Sequence, residues 1–264
     1  YNLDFNTMSS EEIKRMYQEK SHGMGFSLIE GTKGLFDGIS TDGADSNARL
    51  ASLLKSQVLL VIDCEGITRG IAPLLEGYKS FGEKLKLNKV ILNNVSTSRH
   101  ESKLISAISR YTDFRVLGVI PSIKNFIVER HLGLVPTFQH PQKKKVLSSL
   151  VSIIKNNTDY TKLLPLRSKS QKKIIRSSLT KKKNSLVVGI ASDAAFGFYY
   201  PDDIEKIERQ GCRVKKIDLT REASLPSIDG LFIGGGFPEI QAQKLQNNRS
   251  MKKSIRNAIN RGLP

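Results

Sequence analysis

Apolar positions along this chain fall into short unbroken runs separated by longer stretches with helical spacing. In the first half the runs are "FSLIEG" (26–31), "VLLVIDC" (58–64), "KVILNNV" (89–95) and "VLGVIP" (116–121). A continuous apolar run, rather than strict alternation, is the pattern of a strand buried on both faces, as in a parallel sheet. Helix start signals lie between the runs. Ser9 with Glu12 and Ser98 with Glu101 have the spacing of a capping box, and Asp45 and Thr68 stand where they can cap "SNARLASLLK" and "RGIAPLLEGYKSF". The second half repeats this grammar. "LVVGIA" (186–191) leads to a helix from Pro201 to Gly211, followed by "CRVKKID" (212–218) and "GLFIGGG" (230–236). A last helix, "SMKKSIRNAINRG", closes at Gly262, the usual glycine just past a helix end. Alternation of strand and helix predicts α/β architecture with doubly wound parallel sheets and right-handed crossovers. The expected division is a first domain over 1–142, a linker over 143–184 and a second domain over 185–264.

Charge sharpens that division. The net charge is +17, but residues 141–184 carry thirteen Lys and Arg against the single acid Asp159, so +12 of it sits in that stretch. An excess confined to one Ser/Asn/Lys-rich segment reads as a solvated linker rather than a nucleic-acid surface. There is no Trp, and aromatic residues do not interleave with the lysines, so nucleic acid is not an expected partner. Nonspecific RNA contact by the segment is the alternative reading. No apolar run approaches the roughly 20 residues that cross a bilayer, and no signal-peptide pattern opens the chain at Tyr1. The expectation is a cytoplasmic protein with no membrane partner, whose true start lies upstream and whose next strand, begun at "LP", lies downstream. The two cysteines, Cys64 and Cys212, stand in separate strand-like runs and read as buried core thiols.

In open parallel sheets ligands bind outside the carboxyl ends of the strands. In the first half those ends are Glu30, Asp63, Asn93 and Pro121. Two carboxylates and an amide there suit a magnesium-bound nucleotide: carboxylates hold a hard cation together with phosphates, and an Asn amide can pair with a base edge. The alternative is that polar residues mark only where strands become loops. The glycines of "EGTKGLFDG" let backbone approach a ligand, yet no G-x-x-x-x-G-K-[ST] phosphate loop occurs in the chain. A phosphate cradle is therefore expected upstream of Tyr1.

"GLFIGGGFPEI" (230–240) ends a strand in three glycines and restarts at Pro238. Bare N–H groups beside a helix N-terminus can stabilise an oxyanion in acyl transfer, or the turn can be merely tight. A nucleophile is harder to find. Cys212 stands mid-run, Cys64 belongs to the other half, and His22, His100, His131 and His140 all fall before the linker. The attacking group is expected beyond Pro264.

"EGTKGLFDG", "VLLVIDCEGITRG", "ILNNVSTSRH", "VLGVIP", "ERHLGLVPTFQH", "SDAAFGFYYPDDIE" and "GLFIGGGFPEIQAQKLQNNRSMKKSI" follow one another in this order. Together they resemble the cobyrinic acid (hydrogenobyrinic acid) a,c-diamide synthase family over nearly the whole chain apart from the basic segment. The resemblance implies a dethiobiotin-synthetase-like ATP-dependent amidoligase domain followed by a class I glutamine amidotransferase domain, both only partly spanned. It implies cobyrinic or hydrogenobyrinic acid, ATP and L-glutamine as substrates, Mg²⁺ as cofactor, and room for a homodimer. By position, Glu30 matches the Mg²⁺-contacting acid, Gly31 and Gly34 the loop facing the acceptor carboxylate, Asn93 the adenine-contacting Asn, and Pro121 its neighbour. Asp63 is a metal or substrate contact, and Gly235, Gly236 and Phe237 match the oxyanion loop, whose Cys and His are expected downstream. On that reading the 264-residue chain by itself shows neither amidation nor glutaminase activity. Thr32, Lys33, Glu65 and Gly197 depart from the family's usual pattern. Two readings compete: a sister tetrapyrrole amidotransferase (nickel-sirohydrochlorin a,c-diamide synthase or cobyric acid synthase), and a degenerate nucleotide- or RNA-binding scaffold.

Overall fold

The fold comes from a computed structural model, which describes residues 1–82, 84–123, 129–130, 133–134, 143–162 and 186–264. His131, His140, most of "ERHLGLVPTFQH" and the basic residues 163–185 lie outside the described residues. In chain order the elements are α1 (Ser10–Ser21), α2 (Asn47–Leu54), β1 (Gln57–Asp63), α3 (Ile71–Ser80), β2 (Lys86–Val95), α4 (Ser98–Tyr111), β3 (Arg115–Pro121), β4 (Glu129–Arg130), β5 (Gly133–Leu134) and α5 (Lys143–Asn157). Then follow β6 (Val187–Ala191), β7 (Phe196–Phe198), α6 (Pro201–Arg209), β8 (Arg213–Ile217), β9 (Gly230–Phe232), β10 (Gly235–Gly236), α7 (Ala242–Asn247) and α8 (Arg249–Asn260). The chain divides into two compact units, one formed by residues 3–174 and the other by 175–264 with Tyr1 and Asn2. Among the described residues no helix is long and apolar enough to cross a membrane.

The first unit is built on a parallel sheet of order β1-β2-β3. Its core joins Leu60, Ile62, Leu87, Val90, Leu92 and Val95 of the strands to Ile71 and Leu75 of α3 and Leu104, Ala107 and Ile108 of α4. Each such side chain removed from water contributes about 1.5–3 kcal/mol before chain entropy is charged against it. The apolar runs predicted at 58–64, 89–95 and 116–121 are these three strands. The run 26–31 is not one. It is an unpaired segment with Leu28 83 % and Phe26 45 % exposed, because a strand exists only where a neighbour takes its backbone bonds.

Helix caps sit a residue or two from where the pattern put them. The Ser9/Glu12 capping box forms, but Ser46 rather than Asp45 caps α2 and Thr97 rather than Ser98 caps α4. The first turn of α3 starts at Gly70 with no side-chain cap, so Thr68 does not serve. Within the stretch expected to be linker, Lys143–Asn157 is a helix, and its end docks on the sheet: Thr158 bridges Gly118 of β3, and the Asp159 N–H donates to the Leu117 carbonyl at 2.8 Å. This engages the β3 edge at Leu117 and Gly118, where its backbone would otherwise be unpaired.

The second unit has a parallel sheet of order β8-β6-β9. The chain moves from central β6 to one side through α6, then returns to the other side as β9, so the direction of winding reverses beside β6. Ile217, Leu219, Ala191 and Met251 fill its core, with Leu231, Ile228 and Ile255 packed around them. Edge strand β8 exposes Arg213, Lys215 and Lys216, charges that discourage a further strand from pairing there. Cys212 precedes β8 and is only half-buried, which corrects its expected place inside a buried strand; Cys64 is fully buried as expected.

Candidate functional site

The carboxyl edge of the first sheet brings Asp63 beside Asn93, with Pro121 of β3 two residues further along the edge of β2. Asp63 and Asn93 are register partners across β1 and β2, and Val95 is partnered with Pro121 across β2 and β3. Asp63 is exposed and held in place. Its Oδ1 accepts from the Glu65 N–H at 3.0 Å and from Asn94 Nδ2 at 3.1 Å. These bonds, the Glu65 backbone first, hold its carboxyl below the ordinary Asp value, so it is a carboxylate at neutral pH. Both donors use Oδ1, and among the described residues no donor bonds Oδ2, which can then meet a ligand. Asn94 reaches across because its backbone is left-handed, with φ 56°, a region Asn tolerates better than most residues. Beneath them the Cys64 N–H donates to the Asn93 carbonyl at 2.9 Å, and burial pushes the Cys64 thiol up, so it is a core group.

The loop after Asp63 is tied at a further point. His100, in the first turn of α4, puts Nε2 2.6 Å from the Ile67 carbonyl oxygen, and its Nδ1 lies 3.3 Å from the Ser96 N–H nitrogen and 3.2 Å from Ser96 Oγ. Glu30, Gly31 and Gly34 belong to a separate exposed loop. Asn47 Nδ2 donates to the carbonyls of Lys33 (3.0 Å) and Gly34 (3.3 Å), and a side chain at Gly31 would meet Asn47. Asp45, not a cap, accepts from the Ile39 and Ser40 N–H groups and so shapes the same loop. No contact among the described residues joins Glu30 to the Asp63 group. Nor does any group of three His, Cys, Asp or Glu side chains there form a metal cage.

In the second unit the loops after β6 and β9 meet where the winding reverses, the usual place for a ligand crevice in a parallel sheet. Gly235 and Gly236 pair antiparallel with Phe198 and Phe196, so the glycines are strand β10. The Tyr199 hydroxyl accepts from the Gly234 N–H at 2.9 Å and donates to the Ala191 carbonyl, and burial raises its pKa. Asp193 binds the Ala195 and Phe196 N–H groups through Oδ1 and the Leu219 N–H through Oδ2. Phe237 stands edge-on to Phe198 with centroids 5.1 Å apart. The helix expected to start at Pro238 is a four-residue 3-10 turn, Pro238–Gln241, followed by the six-residue α7, and the Gly234 N–H is already used. Sequence reading missed Asn94, His100, Asn47, Asp193 and Tyr199; the doubled Asn of "ILNN" and the acid–aromatic run "SDAAFGFYY" were the available signals.

An open-sheet domain with acid and amide at its strand ends, followed by one whose crevice is built on glycines, defines a two-domain class. Residues 5–130 match the AAA domain family, and residues 187–264 match the CobB/CobQ-like glutamine amidotransferase domain family. A cobyrinate a,c-diamide synthase of Magnetococcus marinus is 36% identical over 272 residues, covering 100% of this chain and 58% of the relative. One from Listeria innocua is 38% identical over 271 residues, covering 100% and 59%, and one from Methanosarcina acetivorans 34% over 286, covering 100% and 56%. The chain is thus similar along its whole length to cobyrinate a,c-diamide synthases. It spans a little under three fifths of the length of these relatives.

Proposed function

We propose that this chain serves an ATP- and glutamine-dependent amidoligase that converts the a and c side-chain carboxylates of cobyrinic or hydrogenobyrinic acid to amides. Residues 1–142 belong to the amidating domain and 185–264 to the glutaminase domain. The observation that carries the reading is Asp63 paired with Asn93 near the carboxyl edge of the sheet, its carboxylate oriented through Oδ1 by the Glu65 N–H and Asn94.

The chemistry is two displacements. The substrate carboxylate attacks the terminal phosphorus of ATP, giving an acyl phosphate and ADP. Ammonia released from glutamine by hydrolysis then attacks the acyl carbon, and phosphate leaves. Asn93 would contact the adenine edge with Pro121 beside it, and the Gly31–Gly34 loop would face the acceptor carboxylate. Glu30 and Asp63 are oxygen donors of the kind Mg²⁺ takes alongside nucleotide phosphates, where the ion would neutralise charge on the phosphoryl oxygens. Gly235, Gly236 and Phe237 would border the acyl oxyanion of the glutaminase step.

The test is to supply the intact protein with Mg²⁺–ATP, glutamine and cobyrinic or hydrogenobyrinic acid, and follow ADP and the mass of the corrin. Stepwise carboxyl-to-amide conversion with one ADP per amide is the expected result. ADP formation independent of corrin, or amidation without ATP, refutes the reading.

A further inference from the structure

The loop that follows Asp63 is fastened by β2 and α4 at three points: the Asn93 carbonyl, the Asn94 side chain and His100. All three join residues about thirty positions apart, and the third, between Ile67 and His100, reaches furthest along the loop. Its partners dictate the state of the ring. The Ile67 carbonyl can only accept, so Nε2 carries the hydrogen. The Ser96 backbone N–H can only donate, so Nδ1 offers its lone pair. Both ring nitrogens are thus engaged, and the neutral ring sits as a rivet between the β1–α3 loop and the β2–α4 loop. The Thr97 side chain caps α4 by accepting from the His100 N–H at 3.1 Å, which fixes the root of that side chain. Gly66, with φ 70°, makes the bend that turns the Ile67 carbonyl toward it.

We propose that His100 is a positioning residue for the amidation site: by pinning Ile67 it holds the Asp63–Arg69 loop in the one conformation that keeps Asp63 beside Asn93 with its carboxylate oriented through Oδ1. The proposal rests on the amidoligase reading for its consequence and on the geometry alone for its cause. A residue that orients a ligating group through the loop acts on rate and affinity without touching substrate, and its loss costs on the order of ten- to a hundredfold.

The experiment compares His100→Ala, His100→Gln and His100→Asn in the intact protein. Gln places an amide N–H near the Nε2 position and can still reach Ile67; Asn is too short. Amide hydrogen exchange at Glu65 and Ile67 is expected to quicken about tenfold or more in H100A and H100N, to return toward wild type in H100Q, and to stay unchanged along β1 and β2. ATP-dependent amidation is expected to fall ten- to a hundredfold in H100A and H100N and to recover in H100Q, with glutamine hydrolysis in the other unit unaltered. Unchanged loop exchange in H100A, equal acceleration along β2, or H100Q no better than H100N overturns the proposal. Absence of amidation in the wild type would instead refute the amidoligase reading, and the exchange comparison would still decide what His100 does.

Discussion

Three successive glycines offer a sharp test of how the second unit is put together, because the same Gly→Ala change meets a different obstacle at each. None of Gly234, Gly235 and Gly236 has positive φ, so an alanine backbone is acceptable at all three and only space decides. At Gly236 an added Cβ would run into the Ala195 carbonyl oxygen, with the Ala195 carbon and the Phe196 Cα each 2.9 Å away. These are backbone atoms at the start of β7, so no rotamer change relieves the clash. Overpacking of this kind costs about 1–3 kcal/mol, and parting the β10–β7 pair adds about 1 kcal/mol, giving about 2–4 kcal/mol for G236A. At Gly234 the obstacle is the Tyr199 ring, with Cζ at 2.9 Å. The ring can tilt, but it then lets go of the Gly234 N–H, the Ala191 carbonyl or both, for about 1–2 kcal/mol. At Gly235 the nearest atom is Phe198 Cβ at 3.4 Å, ordinary contact, and a stiffer unfolded chain offsets any loss, so G235A should fall within about 0.5 kcal/mol of wild type. Native-state hydrogen exchange of the β6 amides, at the centre of that sheet, reads the opening of this unit without mixing in the other. The expected order of loss is G236A, then G234A, then G235A. A G236A protein as stable as wild type, or a G235A protein as weak as G236A, would refute close backbone packing as the reason for the glycines.

Three further outcomes follow from the first unit. Gly118→Ala should prise residues 157–162 off β3, since the new methyl meets Thr158 and the Asn157 carbonyl; the Asp159 amide, bonded to Leu117, should lose exchange protection while the β1–β2 amides keep theirs. Asn94→Ala should raise the Asp63 carboxyl toward the ordinary value of about 3.9, read by carbon-detected NMR titration. The sign follows: the folded value is lowered, so this contribution to stability is present above the unfolded value and fades as pH falls through the folded one. An unchanged titration in the variant would mean the Asn94 bond does not form. Leu104→Ala, deleting a fully buried side chain of α4, should cost about 2–5 kcal/mol by urea unfolding, and a loss under about 1 kcal/mol would contradict its place in the core.

The hydrophobic pattern by itself located the three strands of the first sheet and the central strand of the second, although β1 is not buried on both faces as a continuous run suggests, Val61 being 61 % exposed. It also marked Asp63 and Pro121 as strand ends, while β2 runs two residues past Asn93 and no strand ends at Glu30, and the order of the motifs pointed to the family. What it left open depends on partners distant along the chain. "FSLIEG" has the composition of a strand yet stays unpaired, since pairing belongs to two segments and composition to one. Caps at Ser46 and Thr97 rather than Asp45 and Ser98 turn on one residue of backbone geometry, which neighbouring polar side chains leave nearly degenerate. Lys143–Asn157 reads as a basic linker by charge, yet it is a helix whose end is tied to β3 through Thr158 and Asp159. The site's fastenings, Asn94 on Asp63, His100 on Ile67 and Tyr199 between Gly234 and Ala191, join residues 8 to 35 positions apart. Only the tertiary structure could choose them, because a hydrogen bond is set by distance and direction in space, and the chain becomes specific in both only after the sheets have formed.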